Sequence, residues 1–442
     1  MRFLSIGCKK PRTRRQTAKY FAIRMFSTIL FGLALTSVAT AQNPVTEWDA
    51  IAVTTVTSGS PVISPGSNFG GGAGIYLAYA HLAMYDAVNA IDHRFQSYGP
   101  DIPAPAGASP EAAAIAAAYN TLLYYFPDHT TTLGAQYMAS LAAIPDGAAK
   151  SDGVQVGQAA ANAIITLRLN DGRGANVLYT FPSVPTAGVW IPTPPGFLPP
   201  QTPWVGQMVP FTMSSASQFL PDEPPPSLTS QDWADDYNQV KILGAVNSAV
   251  RTPQQTEIAV FWTESTAKQY PRLFRALAME RALDISDTAR LFAIMWTAYA
   301  DSFIGCMNAK YHFSFWRPVT AIRNGNIDGN PATIADPTWT PLGITPNHPE
   351  YPAAHGCITG AMAETLKGYF GTPNLNFTVS STAFSPPHVH TFTSTKDLEQ
   401  QVEDARIYAG FHYHHSVVQG IVLGQKVADQ VLVNFFQPIT SH

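Results

Sequence analysis

Apolar residues recur at helical spacing along most of this chain, which predicts a protein built mainly of α-helices. Ile75 to Ile91 carries the pattern, as does the alanine-rich run Pro110 to Phe126 behind a Ser109 cap, and residues 151–168 continue it. Residues 43–70 hold Gly, Ser and Pro with little periodicity and read as an extended arm. Residues 178–228 break the helical pattern. They hold thirteen of the 36 prolines, so they predict a long ordered loop or linker. Helical spacing resumes behind Thr229-Ser230 and runs through 231–247, 253–267, 270–282, 285–304 and 306–322. A loop at 325–351 follows Asn324 and contains Asp328-Gly329. Helices return at 354–369 and at 397–435, the latter with a break near Gly410. No strand-rich block and no internal repeat emerges. The predicted organisation is an N-terminal arm and helical part over 42–177, a Pro-rich connection over 178–228, and a C-terminal helical bundle over 229–442.

Composition narrows the function classes. With 442 residues and 46% apolar residues the chain can bury a sizeable core. Only 13% of residues are charged and the net charge is −4, with no basic stripe, which argues against nucleic acid as a partner. The first 41 residues read as an export signal. Lys9, Lys10, Arg12, Arg14 and Arg15 form a basic region, Phe26 to Val38 is apolar, and Ala39-Thr40-Ala41 is a small-residue cleavage site. A signal starting at Met25 is also complete. The expected mature chain begins near Gln42, is periplasmic or secreted, and has no further apolar run long enough to cross a bilayer. It retains Cys306 and Cys357, which can pair in an oxidising compartment or remain two buried thiols.

Three segments carry candidate chemistry: Lys310 to Pro318, Pro352 to Gly356, and Arg406 to His412. Lys310, Arg317 and Arg406 offer positive charge and N–H donors, and the spacing of Lys310 and Arg317 is close to two helical turns. His355 follows Pro352 in a small-residue turn expected to open a helix, where free N–H groups favour an anion. A histidine there can move a proton near neutral pH. Together the segments suggest a pocket for a tetrahedral oxyanion in the C-terminal bundle. His412, His414 and His415 can instead hold a transition metal, although no carboxylate completes a recognised spacing. His388 and His390 fall in a Ser/Pro-rich stretch and read as loop residues.

The order K-x6-R-P, P-x-x-H-G, R-x5-H over residues 310–412 resembles the superfamily of vanadium-dependent haloperoxidases and type 2 phosphatidic acid phosphatases. Phe315-Trp316-Arg317-Pro318 and the run Thr345 to Pro352 are similar to the haloperoxidase branch. The resemblance implies vanadate as cofactor, with hydrogen peroxide, a halide and optionally an organic molecule as substrates. It implies that Lys310, Arg317, Arg406 and the Ala354 backbone hold the oxyanion, that His412 is the axial ligand to vanadium, and that His355 is the acid/base, with Lys310 polarising peroxide. His348 and Met307, at the positions that separate bromide from chloride enzymes, lean toward bromide or iodide. The chain departs from the family at Ala353 and Ala354, where serine and glycine are usual, and at Ala405 and Ser416, where serine and aspartate are usual. Two other readings use the same pocket: an acid phosphatase with a phosphohistidine intermediate, and a non-catalytic oxyanion-binding protein.

Overall fold

The computed structural model describes residues 43–58 and 72–439; the export signal expected over residues 1–41 lies outside them. The described chain is mainly α-helical, as the periodicity predicts. In the N-terminal part, α1 (Pro44–Ser58), α2 (Ala73–Asp92), α3 (Pro110–Tyr125), α4 (Thr130–Ala142) and α5 (Ala148–Leu167) pack around α2 and α3. Ser109 caps α3, its side chain accepting from the Ala112 N–H. The arm expected from residue 43 is wrong over α1. Val45, Trp48, Ala52 and Val56 lie at helical spacing and all are buried, and this tertiary burial outweighs the β-branched residues that weaken the local signal.

The C-terminal part contains α6 (Gln231–Leu243), α7 (Pro253–Phe261), α8 (Thr266–Glu280), α9 (Ile285–Phe313), α10 (Pro318–Arg323), α11 (Ala354–Phe370), α12 (Thr395–Tyr408) and α13 (His414–Asn434). The predicted break near residue 305 does not occur. Gly305 faces no backbone closely enough to bend the helix, and α9 continues to Phe313, where Ser314 closes it in a left-handed conformation. A strand pair also went unread. β1 (Phe377–Ser381) and β2 (His388–Phe392) form an antiparallel hairpin with Phe377 opposite Phe392. His388 and His390 therefore sit on a strand, where they meet Glu257 of α7 at 2.7 and 3.1 Å.

Two contacts position the bundle. Helix α2 packs on α9, so one continuous core runs through both helical parts. Helices α11 and α13 cross at very close range through Gly356 and Gly360 on one and Gly420 and Gly424 on the other. A methyl group at Gly356 would lie 2.6 Å from the Val417 carbonyl oxygen, and one at Gly420 would lie 2.6 Å from that of Ala353. The crossing sets the start of α11 beside the start of α13. The Pro-rich connection is ordered against α9. Asp301, fully buried, accepts from the backbone N–H of Phe211 and Thr212 at 2.6 and 2.7 Å and from the Thr212 hydroxyl at 2.6 Å.

Candidate oxyanion site

The site lies where α9, α11, α12 and α13 end or begin. Lys310 occupies the last turn of α9 and is fully buried. The chain reverses at Ser314, and Phe315 and Trp316 then anchor in a second aromatic core with Trp233, Tyr237 and Tyr413. Arg317 follows as the cap of α10, with Pro318 at its first position. Lys310 and Arg317 thus approach through a chain reversal and not through two turns of one helix. Pro352 and Ala353 lead into α11, whose first residues Ala354 and His355 face a cavity. Arg406 stands in the last turn of α12, and Gly410, with φ 75°, allows the turn that swings His412 back toward it.

The cavity measures about 200 Å³. That is room for one tetrahedral oxyanion with several waters, since about 10–15 Å³ of such space holds one water. His355, Arg406, His412, Ala354, His348 and Met307 line it, and no acidic side chain does among the described residues. Lys310 and Arg317 stand behind the wall. Lys310 differs from its expected role at a ligand. Its ammonium donates to the carbonyls of Pro349 at 3.0 Å, Glu350 at 2.9 Å and Pro352 at 2.5 Å, engaging all three of its donors. It therefore contributes charge and fixes the 349–352 loop. Arg317 donates through Nε to the His348 carbonyl at 2.9 Å and through one terminal nitrogen to the Phe411 carbonyl at 3.0 Å. The same nitrogen points at His412 Nε2 at 3.1 Å, and the other meets His348 Nδ1 at 2.9 Å.

These partners define the His412 tautomer. Nδ1 faces the Glu350 carboxylate at 2.8 Å and carries the proton, so Nε2 presents a lone pair that accepts from Arg317. Burial, then Arg317 and Lys310, hold the imidazolium form well below its ordinary pKa, so His412 stays neutral. Glu350, also accepting from the Tyr413 N–H at 3.1 Å, is pushed up to about 7 by burial, with Arg317 and Lys310 opposing. Glu350 lies within the run Thr345 to Pro352, to which the sequence assigned no individual carboxylate role. It places a carboxylate beside His412, and its partner 62 residues away gave no local signal.

Arg406 donates to the Trp262 carbonyl at 2.9 Å and lies over the Phe411 ring at 4.8 Å. His355 hydrogen-bonds the same carbonyl. The Trp262 indole in turn donates to Gln401, which His390 also contacts, at 2.6 Å. Three polar atoms on residues that line the cavity have no protein partner among the described residues: Arg406 Nε, His355 Nε2 and Thr202 Oγ1. Burial lowers the Lys310 pKa to about 8, Arg317 to about 10 and Arg406 to about 9. The direction reports an unfavourable concentration of buried positive charge, which an anion would relieve.

Two alternatives left open by the sequence are decided here, the cysteine pair and the histidine cluster. Cys306 and Cys357 are both free and buried. The Cys306 thiol is neighbour to Cys357 and donates to the Pro352 carbonyl at 3.7 Å, in a buried α9–α11 contact. The histidine cluster disperses, because α13 begins at His414. His414 pairs with Glu403 at 3.1 Å and His415 stacks on Tyr351. Among the described residues no group of three or more His, Cys, Asp or Glu could hold a metal ion.

The fold is mainly α-helical, and its cavity is lined by histidine and arginine side chains with no acidic side chain among the described residues. Residues 290–440 match the family model described as the VCPO second helical-bundle domain. The part of the chain that carries the three motifs is therefore similar to that helical-bundle domain. The chain is 27% identical over 251 residues to the vanadium chloroperoxidase of Curvularia inaequalis, a match over 46% of this chain and 41% of that protein. It thus spans about two fifths of that relative's length. Two solved structures share the fold. One is described as the first bacterial vanadium-dependent iodoperoxidase, with TM-score 0.72 and 23% identity, covering 90% of this chain and 98% of that one. The other is a holo-type bacterial vanadium-dependent chloroperoxidase, with TM-score 0.66 and 16% identity, covering 84% and 93%.

Proposed function

We propose that this chain is an exported vanadium-dependent haloperoxidase that oxidises bromide or iodide with hydrogen peroxide. One observation carries the reading: three buried cationic side chains stand near a neutral histidine whose lone pair one of them addresses, at a cavity with no acidic lining among the described residues. The donor set fits vanadate. His412 Nε2 would be its protein ligand, and Arg406 and Arg317 would donate to its oxygens, Arg317 by turning from the His412 lone pair. The first N–H groups of α11, beginning at Ala354, add partial positive charge. Bound vanadate supplies a Lewis-acidic centre at which peroxide is activated toward a halide. Lys310 strengthens the local positive field from behind the wall. His355, with Nε2 free and its ring fixed by the Trp262 carbonyl, moves the proton. Burial, then Arg406 and Lys310, disfavour its charged form, so it acts first as a base. His348 and Met307 on the cavity wall support bromide or iodide over chloride.

The test loads the protein with orthovanadate and compares chloride, bromide and iodide oxidation by peroxide with hydrolysis of a phosphate ester. Vanadate-dependent bromide or iodide oxidation is expected. A neutral, buried His412 is also a competent nucleophile toward phosphorus, so phosphate-ester hydrolysis inhibited by vanadate would replace the reading with a phosphatase. Neither activity, with oxyanion binding intact, would leave a binding protein. N-terminal sequencing of the mature chain tests export, with a start near Gln42 expected.

A further inference from the structure

We propose that the Thr202 hydroxyl donates a hydrogen bond directly to an oxygen of the bound oxyanion, supplying from the Pro-rich connection the donor that Ala353 lacks. This rests on the oxyanion reading above and adds a ligand contact to it. Thr202 precedes a short 3-10 turn over Pro203–Gln207 and has φ 46° and ψ 48°. That left-handed conformation is unfavourable for a β-branched residue, and doubly so before proline. The strain is held by its surroundings. The Gln201 N–H donates to the Asn347 carbonyl at 2.8 Å, the Gln201 carbonyl accepts from the Tyr311 hydroxyl at 2.5 Å, and Trp204 and Val205 are buried in the core.

Three observations about the side chain converge. Threonine at the start of a helical turn usually caps it, yet this side chain makes no capping bond. Its oxygen is buried, on a residue with no exposed surface, and has no protein partner among the described residues. Buried hydroxyls are rarely left unpaired. Thr202 lines the same cavity as His355, Arg406 and His412. An unpaired hydroxyl on a residue of the wall of a cavity that already offers an unpaired guanidinium N–H calls for an acceptor rich in oxygen and negative charge. Ala353, by contrast, packs against Val417 and Ile421 and does not line the cavity.

Calorimetric titration of the full mature chain with orthovanadate and with inorganic phosphate, without halide or peroxide, tests the assignment. Thr202→Val removes the hydroxyl at nearly constant shape, and Thr202→Ser retains it. Thr202→Val is expected to bind both anions about tenfold or more weakly, the range for a hydrogen bond to a charged group, and Thr202→Ser within about threefold of wild type. Thr202→Ala provides the same deletion should the valine variant fail to fold. Wild-type affinity in a folded Val or Ala variant would overturn the contact while leaving the oxyanion site standing. A wild-type chain that binds neither anion would overturn the oxyanion reading itself. An unchanged anion affinity with an altered halide KM would reassign Thr202 to halide and overturn the proposal.

Discussion

At the scale of single residues the site works by matching donors to acceptors, and each match can be broken separately. Among the described residues Arg317 addresses two side chains, those of His412 and His348. His412→Ala should abolish vanadate binding in calorimetry, whereas His355→Ala should bind vanadate and lose turnover, because proton transfer and not the anchor is removed. Equal affinity in wild type and His412→Ala would contradict the assignment. Glu350 gives a pH signature. Its carboxyl is raised to about 7 from its ordinary 4.5, so between those values the folded protein holds more protons than the unfolded one. Its contribution to stability is therefore present at low pH and is lost as pH rises through about 7. Denaturant unfolding over that window should show the decline in wild type and a flatter profile in Glu350→Gln. Labelling of the unfolded, unreduced mature chain should find both Cys306 and Cys357 free.

Among elements, the α11–α13 crossing governs the site's precision. Gly360 and Gly424 let backbone lie on backbone, and a methyl at Gly424 would collide with the Cys357 carbonyl. Gly424→Ala should destabilise the fold by about 1–3 kcal/mol, the usual effect of overpacking, and weaken oxyanion binding by displacing the start of α11 from His412. Urea unfolding with parallel vanadate titration checks both. A comparable loss with unchanged affinity would show that the crossing stabilises without positioning. The hairpin contributes more locally. Glu257 holds His390, and His390 reaches Trp262 through Gln401, so α7 and β2 together steady the carbonyl shared by Arg406 and His355.

For the whole molecule, the Pro-rich connection joins the helical parts and also forms one wall of the cavity through Gln201 and Thr202. Its attachment depends on Asp301, a fully buried carboxylate whose pKa is raised by burial and opposed by the Thr212 and Phe211 hydrogen bonds. Asp301→Ala would leave those N–H groups unsatisfied, at roughly 1–3 kcal/mol each. The expected result is a lower urea midpoint together with weaker oxyanion binding, since the segment carrying Thr202 is released. An unchanged midpoint would show that the connection is held by other contacts.

Periodicity by itself determined the helical class and most helix positions, because a buried face imposes a 3.6-residue repeat whatever it packs against. Motif order also singled out His355, Arg406 and His412, which share the cavity, and Arg317, which addresses His412 from behind its wall. Helix α1 was hidden because its signal is tertiary burial more than local propensity. The hairpin was hidden because two five-residue strands carry little periodicity. Only the tertiary structure decided that Lys310 serves loop carbonyls, that Glu350 fixes the His412 tautomer, and that Thr202 lines the cavity. Each depends on partners tens to hundreds of residues away. Local patterning records what a residue buries, but a hydrogen-bond partner is chosen by how separate elements cross.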